Sequence, residues 1–245
     1  MRRVSMSDRR PRYPLQVPLI YASWGRSTIP GAGWTWNLGE WGACIELAEA
    51  IPPQMSLDLR LHTGQGTYFV ESQIAWTEDA TLARFLGGGI LHGVTFSGMA
   101  PIHRQGLRDL LLAQYGERRT AVRFSVDLPI LSQPQGADAP RVLRGRTGNI
   151  SRNGLLIRLG QTLSPGTVLK VTLQAPSGRI TVTGEIVWVD PDYRQTFGDP
   201  IRHGLRFSAM DWTGPVALAR FLAELTSALN SRISIRSPLT PIDPR

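Results

Sequence analysis

Two short stretches carry the side chains that recognise phosphates and purine bases. The first is "RRTAVR" (118–123), which supplies Arg118, Arg119 and Arg123. A guanidinium is a planar fork: it pairs bidentately with a phosphate or with the O6/N7 edge of guanine, and it stacks on aromatic faces. The second is "NISRNG" (149–154). Asn149 and Ser151 have short side chains that hydrogen-bond a base edge or order a turn. Gly154 supplies either a positive φ or a gap in which a ligand lies against the backbone. Arg152, inside the same turn, is a further stacking candidate. Both stretches also have ordinary readings. Arginines at a domain junction are solvated, or face the C-terminal dipole of a preceding helix. An NxSxxG turn on its own is common.

The elements that must position these residues come in two copies. "TWNLGEWGACIEL" (35–47) aligns with "TGNISRNGLLIRL" (147–159), and "RYPLQVPLI" (12–20) with "RFSVDLPIL" (123–131). "LDLRL" (57–61) follows the same spacing as "LKVTL" (169–173), "ESQIAW" (71–76) as "TGEIVW" (183–188), and "HGVTFSGM" (92–99) as "HGLRFSAM" (203–210). The offset is 111 at both ends and 112 between, so one residue slips each way. Within each copy, short runs alternate apolar and polar residues between Gly, Pro, Asn and Ser, the pattern of half-buried strands in a small antiparallel barrel or sandwich. Helical spacing follows each copy: Ile102, Leu107, Leu110, Leu111 and Tyr115 in the first, Val216, Leu218, Phe221, Leu222 and Leu225 in the second. The expected organisation is one unit over 1–115, a second over 116–229, and a disordered Pro-, Ser- and Arg-rich tail over 230–245.

Composition limits the partners. With 42% hydrophobic and 19% charged residues over 245 positions, the chain is globular. No apolar run reaches the roughly 20 residues of a membrane helix, and no apolar segment follows the basic start as in a secretory signal. Cys44 is the single cysteine, which excludes an internal disulfide and suits a reducing cytoplasm. The net charge is +8, and Lys170 is the only lysine, so arginine carries nearly all of the positive charge. An anionic partner is implied. Four histidines in no acidic or cysteine cluster predict no metal site. The absence of a nucleophile–base pairing or a phosphate cradle predicts that the protein is not an enzyme.

The pair of motifs, in this order and about 25 residues apart, resembles the RRxxxR and (D/N)xSxxG signatures of the PilZ domain family. The resemblance covers the second copy well and the first loosely. It implies a mainly β protein of two tandem six-stranded antiparallel β-barrels, each followed by a C-terminal α-helix. It also implies a receptor for cyclic di-GMP, whose two guanines and two phosphates are held by Arg118, Arg119, Arg123, Asn149, Ser151 and Gly154, with Arg152 as an additional contact. The arginine segment would order over the ligand. A partner protein would read the resulting change in domain arrangement. The alternative is a nucleic-acid-binding transcriptional regulator, with or without control by cyclic di-GMP, suggested by the charge and the arginine-rich ends, although no recognised DNA-binding motif is present.

The first copy departs from both signatures. Gly39 stands in place of Ser151, Glu40 in place of Arg152, and Asp8 where Arg119 falls; only Arg12, Asn37 and Gly42 keep their counterparts. It is expected not to bind the nucleotide. Trp24, Trp34, Trp36 and Trp41 surround its altered turn, as packing or as a stacking patch. Trp76 and Trp188 are expected in the barrel cores, and the equivalent His92 and His203 in structural roles.

Overall fold

The computed structural model describes residues 11–23, 29–81, 88–114, 120–136, 141–175, 178–190, 200–208 and 213–234. Fourteen strands and two helices are defined among them. The first barrel is built from β2 (Pro18–Ser23), β3 (Gly31–Gly39), β4 (Gly42–Leu47), β5 (Ser56–Thr63), β6 (Gly66–Thr77) and β7 (Ile90–Gly98). These strands pair in the order β3-β2-β5-β6-β7-β4, and β4 returns to β3, closing an antiparallel barrel of six strands. A two-residue strand, β1 (Arg12–Tyr13), lies on the far end of β3. Helix α1 (Pro101–Gln114) follows.

The second barrel repeats this plan. Strands β9 (Pro129–Pro134), β10 (Leu143–Ser151), β11 (Gly154–Leu159), β12 (Val168–Ala175), β13 (Gly178–Val189) and β14 (Ile201–Phe207) close in the same order, with β8 (Phe124–Ser125) on β10 and helix α2 (Thr213–Ser234) behind. The strand starts reproduce the offsets seen in the sequence: β2 and β9 begin at 18 and 129, β3 and β10 at 31 and 143, β7 and β14 at 90 and 201. The slips fall in the β2–β3 and β6–β7 connections.

Equivalent buried polar residues hold both copies. Thr35 Oγ1 donates to the Leu15 carbonyl at 2.5 Å and accepts from the Val17 amide at 2.8 Å. Thr147 Oγ1 makes the same pair of bonds to the Val126 carbonyl and the Leu128 amide. His92 and His203 are fully buried. Each Nε2 accepts an amide hydrogen bond, from Ile51 and Leu163 respectively, and each Nδ1 lies 2.9–3.0 Å from a carbonyl, to which it donates. This satisfies a neutral ring, in accord with the structural role expected of both.

The helices differ. Helix α1 packs on β6 of its own barrel, and Leu107, Leu110 and Leu111 join that core. Helix α2 lies between the barrels. It packs mainly on β2 and β3 of the first barrel, while Leu218, Phe221 and Leu222 join the core of the second. Its buried positions wrap about 200° of the helix, well beyond a one-sided stripe. Trp34 of β3, fully buried, belongs to this second core and donates from Nε1 to the Pro215 carbonyl at 2.8 Å. The helix runs to Ser234, past the 230 at which the sequence suggested a tail.

Candidate functional site

The hairpin β10–β11 carries the second motif. Asn149 is opposite Leu156 on β11 and Ser125 on β8, just past a bulge between Thr147 and Asn149. The bulge turns Asn149 out of the barrel's alternation and onto the wall beside β8. Ser151 ends the strand: its Oγ donates to the Gly154 carbonyl at 3.3 Å and accepts from the Asn153 amide at 3.4 Å, which orders the tight turn. Gly154 does not have a positive φ. Glycine is required there for closeness, because a Cβ would stand 2.2 Å from the Leu205 carbonyl of β14.

Arg123 precedes β8, so the strand pairing that fixes Phe124 opposite Ile150 brings the arginine to the same hairpin. Arg123, Asn149, Ser151 and Gly154 thus line one surface groove of about 200 Å³, together with Asn153, Trp188 and Arg206. No hydrogen bond or ion pair holds the Arg123 or Asn149 side chain among the described residues. Arg206 is anchored by Glu185 at 3.2 Å. Arg118 and Arg119 lie outside the described residues.

Arg152 is not in this groove. Its guanidinium forms an ion pair with Glu46 of the first barrel and lies 5.5 Å and 5.9 Å from the ring centres of Trp34 and Trp36. The turn therefore divides its side chains: Ser151 and Asn153 line the groove, Asn153 also reaching Gln16 of the first barrel, while Arg152 goes to the barrel interface.

Trp188 is the groove residue that the alternation pattern misplaces. Val182, Gly184 and Ile186 are buried at every second position, which predicts an inward Trp188. A bulge between Ile186 and Trp188 reverses the register. The indole sits outside, 43% exposed, over Gly204, where a Cβ would approach its Nε1 to 1.9 Å. Trp76 over Gly93 repeats the arrangement, 46% exposed, after the same bulge. The expectation that both tryptophans are core is corrected by these bulges. Two bulky residues at one repeat position, each opposite a glycine, were the available signal.

The corresponding turn of the first barrel is committed to its own neighbours. Asn37 Oδ1 accepts the Cys44 amide at 3.0 Å. A Cβ on Gly39 would lie 2.8 Å from the Pro11 carbonyl, so no serine fits. Glu40 turns away to Arg108 of α1, at 2.5 Å. Trp36 and Trp41 are about half exposed and Trp34 is buried, while Trp24 lies outside the described residues. Burial pushes the Cys44 thiol up to about 11, against the pull of Arg12. Among the described residues no group of three or more His, Cys, Asp or Glu side chains could hold a metal, and no helix is long and apolar enough to cross a membrane.

Residues 117–224 match the family model for the PilZ domain. The second barrel is a PilZ domain. Among solved structures, the chain is similar to Escherichia coli YcgR in complex with c-di-GMP, at 14% identity over 90% of this chain and 88% of that one, TM-score 0.42. It is similar to the Bacillus subtilis inhibitor of motility MotI/DgrA, at 15% identity over 89% and 98%, TM-score 0.36. The isolated YcgR PilZ domain with c-di-GMP matches 48% of this chain and 98% of its own length at 20% identity, TM-score 0.40. No curated protein sequence matches the chain. The groove of Arg123, Asn149, Ser151 and Gly154 lies wholly on the PilZ domain, and the Glu46 that takes Arg152 lies outside it.

Proposed function

We propose that the protein is a cyclic di-GMP receptor, without catalytic activity of its own, whose PilZ domain binds the dinucleotide and passes the event to the first barrel and thence to a protein partner. The observation that carries this reading is the convergence of Arg123, Asn149, Ser151 and Gly154 on one groove of a PilZ domain, with the Arg123 and Asn149 side chains uncommitted among the described residues. Arg123 offers its fork to a guanine Hoogsteen edge or a phosphate. Asn149 and the backbone of the Ser151–Gly154 turn meet the base edge. Trp188 provides a flat apolar face, and base–aromatic stacking contributes about 1–3 kcal/mol per base. The groove, about 200 Å³, is smaller than the roughly 300–1,000 Å³ of pockets that enclose a whole drug-sized ligand. It takes one end of the dinucleotide, which leaves the rest to Arg118 and Arg119. The first barrel does not bind the nucleotide. Its place is in transmission, in a protein working in the cytoplasm.

The nucleic-acid reading rests on the net charge of +8 and the arginine-rich ends, and charge of that kind supports only salt-sensitive, non-specific association. Calorimetry with cyclic di-GMP tests the receptor reading. The wild type binds, and Arg123→Ala and Ser151→Ala each weaken binding by about tenfold or more, as expected for loss of a charge-assisted or turn-ordering bond. Absence of heat at about 50 µM ligand, a concentration that reveals micromolar affinity, contradicts it.

A further inference from the structure

Three grips from the first barrel converge on the two motif segments of the second. Gln16 pairs through its backbone with the chain just ahead of Arg123: its amide donates to the Thr120 carbonyl at 2.6 Å, and its carbonyl accepts from the Val122 amide at 3.1 Å. The same Gln16 accepts, through Oε1, from Asn153 Nδ2 at 3.1 Å. Glu46 takes the guanidinium of Arg152 in an ion pair whose side chains are only 12% and 8% exposed. Its other oxygen is fixed by the Gly89 amide at 3.2 Å.

We propose that the first barrel is a brace for the ligand turn, in which Glu46 acts as a positioning residue through Arg152 and Gln16 acts through Asn153. The proposal rests on the receptor reading above. Neither Glu46 nor Gln16 lines the groove, so neither touches the ligand there. What they hold is the backbone between Ser151 and Gly154. A two-residue hairpin turn at a barrel rim is mobile when left alone, and ordering it at the moment of binding subtracts from affinity. Gripping Arg152 on one side and Asn153 on the other removes that cost in advance. The grip on Arg152 is demanding, because a desolvated ion pair leaves an uncompensated charge when one partner goes. Trp34 and Trp36 confine the guanidinium further. The brace is not a property of the repeat: Asp127 and Arg158 occupy the positions equivalent to Gln16 and Glu46 in the second copy.

A double-mutant cycle on the full-length protein, read by cyclic di-GMP calorimetry, tests this. Glu46→Gln weakens binding by about tenfold in the wild-type background and leaves it unchanged in an Arg152→Gln background, the signature of action through that residue. Gln16→Ala removes only the side-chain bond to Asn153 and keeps both backbone bonds, so the fold survives. It weakens binding about threefold, the loss of one neutral hydrogen bond. Binding by the wild type with Glu46→Gln and Gln16→Ala both as tight as wild type, or tighter, overturns the brace and spares the receptor reading. A Glu46→Gln loss that persists undiminished in the Arg152→Gln background also overturns it. Failure of the wild type itself to bind overturns the receptor reading and the brace with it.

Discussion

His62, His92 and His203 are buried rings with no ion pair among the described residues. Burial holds all three below the ordinary imidazole range, and His62, on the outer face of β5 and 2% exposed, is pushed from 6.5 down to about 4. Its Nδ1 meets Thr67 Oγ1 at 3.1 Å, while its Nε2 has no hydrogen-bond partner among the described residues. A base whose folded pKa is depressed leaves the unfolded chain as the better proton acceptor. Stability is therefore complete above about pH 6.5 and falls as pH drops toward 4; His62 alone contributes a loss on the order of 3 kcal/mol by the end of that window. Urea unfolding across pH 4.5–7 reads it, and His62→Gln, which installs the residue the second copy has at Gln174, makes the curve shallower. A flat wild-type curve refutes the assignment. The groove residues Arg123, Asn149, Ser151 and Gly154, proposed above to meet the ligand, were picked out by type and spacing. Trp188 was not, because a one-residue bulge reverses which side of a strand a side chain faces and leaves little mark in the residues themselves.

At the scale of elements, the strands were readable because each buries one face and so alternates, and because the second copy repeats the first at the same offsets. The barrel, as against a sandwich, was not readable from alternation, since both bury one face of every strand. Closure shows only in the β3–β4 and β10–β11 pairings. The course of α2 was equally hidden. Its apolar spacing fits a helix lying on its own barrel, but Ala219, Ala223 and Thr226 are buried too, and Trp34 supplies the neighbour. An intervening helix of this kind couples the two units. Leu222→Ala, at a fully buried site, is expected to cost about 2–5 kcal/mol. The loss should appear as a single earlier transition seen alike by far-UV dichroism and by tryptophan fluorescence. Two separated transitions, with one barrel unaffected, contradict the packing described here.

Across the whole molecule, the two barrels share one scaffold and differ at the hairpin turn. Both barrels retain the closing strands, the buried threonine and the bonded histidine, while the two hairpin turns differ in what their side chains hold. In the first barrel Asn37 is spent on its own backbone, Gly39 is crowded by Pro11, and Glu40 is bound to α1. Sequence comparison revealed that the first turn was altered. It could not reveal that Arg152, a ligand candidate by position, spans to Glu46 some hundred residues away, because nothing local encodes the facing of two barrels. Amide hydrogen exchange on the full chain, with and without saturating cyclic di-GMP, reads whether the groove of the second barrel takes the ligand. Added protection is expected in peptides spanning 149–154 and 185–188, with 37–42 of the first barrel unchanged. Protection at 37–42 without protection at 149–154, or no change anywhere at saturating ligand, contradicts that expectation.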